Sequence, residues 1–229
     1  MKNKILIAAA LFVSANFLQS CGNSNSNKAN NEMGTSMDMA QSDSMSSGKM
    51  QMPAGGDNGM MQSMSGTMDQ MKDMKMTGDF DLDFANMMIM HHQGAIVMSE
   101  VEIAKGADAQ LKTLAQNIIT AQKSEIERLQ QFIKSYKMTE SKKETDEMHN
   151  ELSETMKAGM EKMRSMPMTG NTDKDYAAMM IPHHESAVTM AKNELSHGKE
   201  LGLKKMAQQM IADQNKEIAE FKAWIDKQK

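Results

Sequence analysis

Pairs of methionine and histidine at helical spacing are the residues of this sequence that are best suited to chemistry. His91 follows Met87 by four residues, and His92 follows Met88 by four. On a helix, each His then lies beside a Met, about 5–6 Å apart. Imidazole binds both oxidation states of copper, and thioether is a soft ligand that favours Cu(I). The spacing therefore predicts that each pair shares a copper ion. The same arrangement returns at Met179, Met180, His183 and His184.

Adjacent histidines point about 100° apart on a helix, so the two members of each pair must have different roles. His91 falls on an apolar stripe with Phe84 and Met88, which directs it toward the core. Its neighbour points sideways, toward a Met-rich segment. The alternative for a His on an apolar stripe is a core residue that binds no metal.

Polar residues at core positions of a second helix are the predicted support of these histidines. Glu125 and Gln122 lie on the buried stripe of that helix. A buried carboxylate needs a partner, and the simplest is the inward-facing His of the same hairpin, whose tautomer it would fix. The alternative is a structural His–Glu contact with no metal nearby. The corresponding residues of the second copy are Gln214 and Glu217.

Methionine is also concentrated outside the His helices. From Cys21 to Asp79 there is no Val, Leu, Ile, Phe, Tyr or Trp, yet Met occurs thirteen times between Met33 and Met76. Met fills irregular cores well, but no core can form without other apolar residues. A sacrificial antioxidant is a second alternative, although it does not predict a duplicated pattern. The predicted copper ligands in these segments are Met68, Met71, Met74, Met76, Met160, Met163, Met166 and Met168.

An internal repeat organises the chain. The stretch 83–92 returns as 175–184 at an offset of 92 residues, and 20 of the 51 positions in 83–133 and 175–225 are identical. The Met segments repeat at the same offset and end in Thr77-Gly78 and Thr169-Gly170. Each unit thus contains a Met segment, a His helix and a second long helix.

Apolar periodicity predicts an all-α fold. Phe84, Met88, His91, Ala95 and Met98 form one stripe at helical spacing. Two hairpins built on such stripes bury them best as a four-helix bundle, to which the Met-rich segments add helices, one of them at 142–164. The partner stripe comprises Leu111, Ala115, Ile118, Gln122, Glu125, Leu129 and Phe132.

Helix ends are predicted from capping residues. Asp81 or Asp83 is expected to cap the first His helix, and Thr172 or Asp173 its copy. Gly106 and Gly198 stand where the helices should stop.

The N-terminus resembles a bacterial lipoprotein signal. Lys2 and Lys4 precede an apolar run of about fourteen residues, too short to span a bilayer, and Leu18-Gln19-Ser20-Cys21 follows. Cys21, the only cysteine, is the predicted lipidation site, and no disulfide can form within the chain. The predicted organisation is a signal peptide (1–20), a disordered Asn-, Ser- and Met-rich tether (21–59), a first repeat (60–138) and a second repeat (139–229).

These motifs together resemble domain-of-unknown-function family 305 over about residues 60–229. The motifs are the Met lead ending in Thr-Gly, D-[FY]-A-x-M-M-I-x-H-H, and L-A-x-x-I-x-x-x-Q-x-x-E-I. The resemblance implies a ferritin-like bundle, export, and copper binding linked to copper tolerance. The first copy has Met90 where the second has the more usual Pro182, so the two sites need not be equivalent.

The function predicted from the sequence is copper binding, not catalysis. The chain is expected to be an exported lipoprotein, anchored to a bacterial membrane on the periplasmic or cell-surface side. It would sequester Cu(I), with Cu(II) at the His sites, or hand copper to a partner protein. One alternative is a ferritin-like metal oxidase, although the sequence lacks the Glu-x-x-His motif of such enzymes. The other is a tethered structural or antioxidant lipoprotein. A net charge of −4 does not suggest nucleic-acid binding.

Overall fold

Five helices form the described part of the protein. The computed structural model describes residues 60, 61, 66, 74–138 and 146–229. Within them lie α1 (Phe80–Lys105), α2 (Ala109–Ser135), α3 (Asp146–Arg164), α4 (Thr172–His197) and α5 (Leu201–Asp226), with no strand. The predicted all-α fold is confirmed. No helix in these ranges is long and apolar enough to cross a membrane. The signal peptide and tether predicted at 1–59 lie outside the described residues.

Two antiparallel hairpins, α1–α2 and α4–α5, are the main units of the fold, as the repeat predicts. The His helices α1 and α4 pack against each other and hold the hairpins together, and α3 lies against α4. The α1–α4 contact is antiparallel, because Ser99 near the end of α1 bonds Tyr176 near the start of α4, with 2.8 Å between the hydroxyl oxygens.

Two reciprocal contacts show that the hairpins are related by an approximate two-fold axis. Asp173 accepts hydrogen bonds from the backbone N–H groups of Ala107 and Asp108, at 2.9 and 2.8 Å. Asp81, its repeat equivalent, accepts from Lys199 and Glu200, at 3.0 and 2.9 Å. Each His helix thus begins with a carboxylate that binds the loop of the opposite hairpin.

The predicted capping residues are wrong, and these contacts explain why. Asp79 and Asn171 cap α1 and α4, with side-chain oxygens that accept from the N–H groups of Leu82 and Lys174 at 3.2 and 2.9 Å. Asp81 and Asp173 are engaged across the hairpin contact instead. Thr172 is the first residue of α4, so it lies inside the helix.

Asp83 and Asp175, the first of which was the other predicted cap, hold the turns that lead into the helices. Asp83 accepts from the backbone N–H and the hydroxyl of Thr77, both at 2.8 Å, and from the N–H of Gly78 at 3.2 Å. Gly78 has a φ of 83°, and Gly170 in the second copy has a φ of 77°. That left-handed conformation favours glycine, which explains the repeated Thr-Gly.

Gly106 and Gly198 end α1 and α4 as predicted, but for a different reason. Gly106 has a φ of −64°, so no left-handed turn requires glycine there. A Cβ at this position would instead meet the carboxyl group of Glu102 at 2.2 Å, and at Gly198 that of Glu194 at 2.1 Å. The glycines therefore make room for two fully buried glutamates.

Helix α3 begins later than predicted, at Asp146 rather than 142, and it approaches α4 closely. Leu152, Met156 and Met163 are buried on its inner side. Gly159 permits the approach, because a Cβ there would lie 2.6 Å from the Cβ of Ser186. A helix carrying methionines thereby lies directly against a His helix.

Candidate metal centre

Four histidines meet where α1 crosses α4. His91 and His183 are each 4% exposed, and His92 and His184 are fully buried. The rings of His91 and His183 face each other across the hairpin contact, with 3.8 Å between their centroids. The antiparallel packing of the two helices thus joins residues that are 92 positions apart in the sequence.

The flanking imidazoles each approach a glutamate of their own hairpin. His92 Nε2 lies 2.8 Å from Glu125 Oε2, and His184 Nε2 lies 2.8 Å from Glu217 Oε2. The expected His–Glu contact is therefore present, but His92 makes it and not His91, the residue assigned to the core. Neither Nε2 has an aligned hydrogen-bond partner, so these contacts are close approaches of complementary groups rather than well-directed hydrogen bonds.

A serine orients the inner pair. His91 Nε2 lies 2.8 Å from Ser186 Oγ, and the hydroxyl of Ser186 donates to the His183 carbonyl at 2.7 Å. The Nδ1 atoms of both His91 and His183 are buried and have no hydrogen-bond partner. Two ring nitrogens at the centre of the protein are therefore left without a protein partner.

Burial keeps the inner imidazoles uncharged. It is the main cause that lowers the pKa of His91 well below its usual value, followed by the nearby His92 and His184. The pKa of His183 is lowered by burial and then by His91 and His184. Neutral imidazole is the form that binds metals, so the inner pair is ready to ligate at neutral pH.

Buried thioethers flank the histidines. Met87, Met88, Met179 and Met180 are each at most 4% exposed. Met179 and Met180 share a core cluster with Met98 of the opposite hairpin. Met87 and Met88 share the other cluster with Met190, again from the opposite hairpin. The repeat thus builds two equivalent apolar clusters, each with methionines from both halves.

The Met segments are less deeply placed. Met74 and Met76 are partly buried against the Met87 cluster, while Met68 and Met71 lie outside the described residues. Met163 is buried in the Met179 cluster. The other methionines predicted there, Met160, Met166 and Met168, are partly buried against the same cluster.

The donors that gather here are imidazole nitrogens and thioether sulfurs. Among the described residues, no group of three or more His, Cys, Asp or Glu side chains has a metal-binding arrangement. Gln122 and Gln214, predicted as supports, are each 2% exposed, and neither amide has a hydrogen-bond partner. A copper ion fits this donor set, because unpartnered buried imidazole nitrogen and thioether both suit Cu(I).

Sequence reasoning did not identify Ser186, Glu102 and Asp173 as site or support residues. Ser186 replaces Gly94 of the first repeat, so comparing the repeats could have drawn attention to it. Glu102 and Glu194 are identical in the two repeats, but their spacing suggested a position at the rim. Burial raises the pKa of Glu102 to about 8, with the Asp173 carboxylate as the second cause.

Comparison with known protein families gives an extended match. A family model described as a domain of unknown function (DUF305) matches residues 15–133 and 81–225. An uncharacterised protein of Acanthamoeba polyphaga mimivirus is 39% identical over 57 residues, which are 25% of this chain and 38% of that protein. The chain thus matches little more than a third of the length of that relative.

Solved structures are also similar. A DUF305 protein of Streptomyces coelicolor is 24% identical with a TM-score of 0.50, covering 64% of this chain and 90% of that chain. This likeness supports the all-α fold. The Cu(I)-bound form of CopM is 29% identical with a TM-score of 0.48, covering 64% of this chain and 96% of that chain.

Proposed function

The chain belongs to the DUF305 family, and from that premise we propose that it binds copper, chiefly as Cu(I). The inner imidazoles and the methionines around them hold the ion. The Met segments supply further ligands. The role of such binding is sequestration of copper, which confers copper tolerance.

The observation that carries this proposal is the buried pair His91 and His183 with unpartnered Nδ1 atoms. A buried polar atom that lacks a hydrogen bond costs about 1–3 kcal/mol. Proteins therefore satisfy such atoms, unless a bound group does so. Because both imidazoles are neutral, each Nδ1 can offer a lone pair to a metal ion.

The surroundings of the pair favour Cu(I) over harder ions. Met88 and Met180, each three residues before an inner His, are fully buried in the same helices. Thioether ligands are neutral and soft, and they bind Cu(I) in preference to Mg²⁺ or Ca²⁺. The site residues proposed here are Met87, Met88, His91, His92, Met179, Met180, His183 and His184.

The partly exposed methionines give the ion a second kind of site. Met74 and Met76, with Met166 and Met168 in the second copy, are accessible to ions from solvent. Their repetition at one offset is the reason to assign them as ligands. Storage and transfer to a partner protein both agree with sites of this kind.

Membrane attachment is a separate part of the proposal. Cys21 and its leader lie outside the described residues, so lipidation and export rest on the sequence pattern alone. Binding is proposed rather than catalysis, because no Glu-x-x-His motif occurs in the sequence.

A Cu(I) competition titration tests the proposal. The full chain with Cys21→Ser, which removes the only thiol, is titrated against a chromogenic Cu(I) chelator. We expect more than one bound ion. Replacing both His91 and His183 by Ala should remove at least one ion or weaken its affinity about 100-fold, because two ligands are lost.

The matched control is His197→Ala. His197 is a partly exposed histidine of α4 whose Nε2 lies 3.2 Å from Glu151 Oε2, away from the inner pair. Its removal should leave stoichiometry and affinity unchanged. Circular dichroism must show that the double variant keeps its helices. If the folded double variant binds copper like the control, the inner pair is not the site.

A further inference from the structure

We propose that Ser186 is a positioning residue whose hydroxyl holds His91 in the tautomer that leaves Nδ1 free to bind a metal ion. This inference rests on the copper-binding function proposed above and deepens it, because it names the ligating atom. It also makes the two halves of the duplicated site inequivalent.

The directions of two hydrogen bonds carry the first step. The hydroxyl of Ser186 has one hydrogen, and it donates that hydrogen to the His183 carbonyl at 2.7 Å. Its oxygen can then only accept from the ring nitrogen that lies 2.8 Å away, which is His91 Nε2. His91 must therefore carry a hydrogen on Nε2.

The second step concerns the other ring nitrogen. In a neutral imidazole with its hydrogen on Nε2, the lone pair is on Nδ1. Nδ1 of His91 is buried and unpartnered, so this lone pair is held ready in the protein interior. A hydrogen bond to the far nitrogen of a His decides which nitrogen binds a metal, and Ser186 provides that hydrogen bond.

The third step is the difference between the repeats. The position equivalent to Ser186 is Gly94, which has no hydroxyl to offer to His183. Ser186 is itself fixed from the other side, because Gly159 of α3 leaves no room for even a Cβ beside it. His91 is thus the preorganised ligand of the inner pair.

Serines in helices often donate to the carbonyl three or four residues earlier without any functional role. Ser196 of the same helix does so, with its hydroxyl 3.1 Å from the Lys192 carbonyl at an exposed position. What distinguishes Ser186 is its burial and the His91 ring on its acceptor side. Ser196→Ala is therefore the matched control.

The first test uses the metal-free full chain with Cys21→Ser. Side-chain ¹⁵N NMR reports which imidazole nitrogen carries the hydrogen. We expect His91 to be protonated at Nε2 alone, and its two ¹⁵N shifts to move toward each other in Ser186→Ala as the second tautomer becomes populated. Ser196→Ala should leave the shifts in place. Unchanged His91 shifts in Ser186→Ala would overturn the proposal.

The second test measures Cu(I) affinity of the same variants. Loss of a residue that orients a metal-binding His typically weakens binding 10–100-fold, so we expect at least a tenfold loss in Ser186→Ala and none in Ser196→Ala. A shifted tautomer with unchanged copper affinity would refute the positioning role. Failure of the parent chain to bind copper would instead refute the proposed function, whatever the tautomer of His91.

Discussion

His91 and Glu102, two ionisable residues of α1, are both kept uncharged by burial. For His91 this frees a lone pair, and for Glu102 it retains a hydrogen. Neither carboxyl oxygen of Glu102 has a hydrogen-bond donor, so the ionised form is unsatisfied. The protonated form donates to Asp173 of the opposite hairpin, which itself binds the loop at Ala107 and Asp108. Glu102 is therefore part of the contact that joins the hairpins.

The pKa of Glu102 predicts that the metal-free protein loses stability as the pH rises. Its pKa is about 8 in the folded chain against 4.5 as the reference. The stabilisation is therefore complete below pH 4.5 and is lost as the pH approaches 8, with a slope of about 1.4 kcal/mol per pH unit. Above pH 6.5, His91 and His183 are neutral in both states and add nothing to this slope.

Glu102→Gln tests this account, because an amide can donate to Asp173 without titrating. Urea unfolding between pH 6.5 and 9 should show a falling free energy of unfolding for the parent chain and a flatter profile for the variant. Glu127→Gln, at an exposed position of α2, is the control and should follow the parent. Parallel profiles for all three proteins would show that Glu102 is ionised in the fold.

At the scale of helices, the close seating of α3 on α4 depends on Gly159. A Cβ at this position would lie 2.6 Å from the Cβ of Ser186 and 2.9 Å from its Oγ. The contact brings α3 and its methionines against the helix that carries His183. It also joins the Met segment of the second repeat to the hydroxyl that bonds His91.

Gly159→Ala should therefore destabilise the protein. Alanine gains about 1 kcal/mol of helix propensity, but overpacking typically costs about 1–3 kcal/mol, so we expect a net loss in urea unfolding. Gly202→Ala in α5 is the control, since nothing lies within 4 Å of a Cβ there, and it should be neutral or stabilising. Equal stability of the two variants would mean that α3 does not pack as described.

At the scale of the whole molecule, the repeat explains both what was predictable and what was not. Apolar periodicity and the 92-residue offset predicted the helices and the two hairpins, because both depend on spacing along the chain. The pairing of His91 with His183 and Ser186 depends on how one hairpin lies on the other, which spacing does not encode.

The helix caps failed for a related reason. Asp79, Asp81 and Asp83 are all acidic and lie within one turn, so capping preference alone could not separate them. Only the opposite hairpin does so, since its loop at Lys199 and Glu200 takes Asp81. Tertiary contact thus assigned roles to residues whose types were already correct.

The central claim is that Cu(I) is bound by the inner imidazoles together with methionine sulfur. X-ray absorption at the copper K-edge tests it most directly, on the full chain with Cys21→Ser loaded with one equivalent of Cu(I). We predict a Cu(I) edge with both nitrogen and sulfur in the first coordination sphere, and loss of the nitrogen when His91 and His183 are both replaced by Ala. A sphere of nitrogen and oxygen alone, or nitrogen that persists in the folded double variant, would contradict the account.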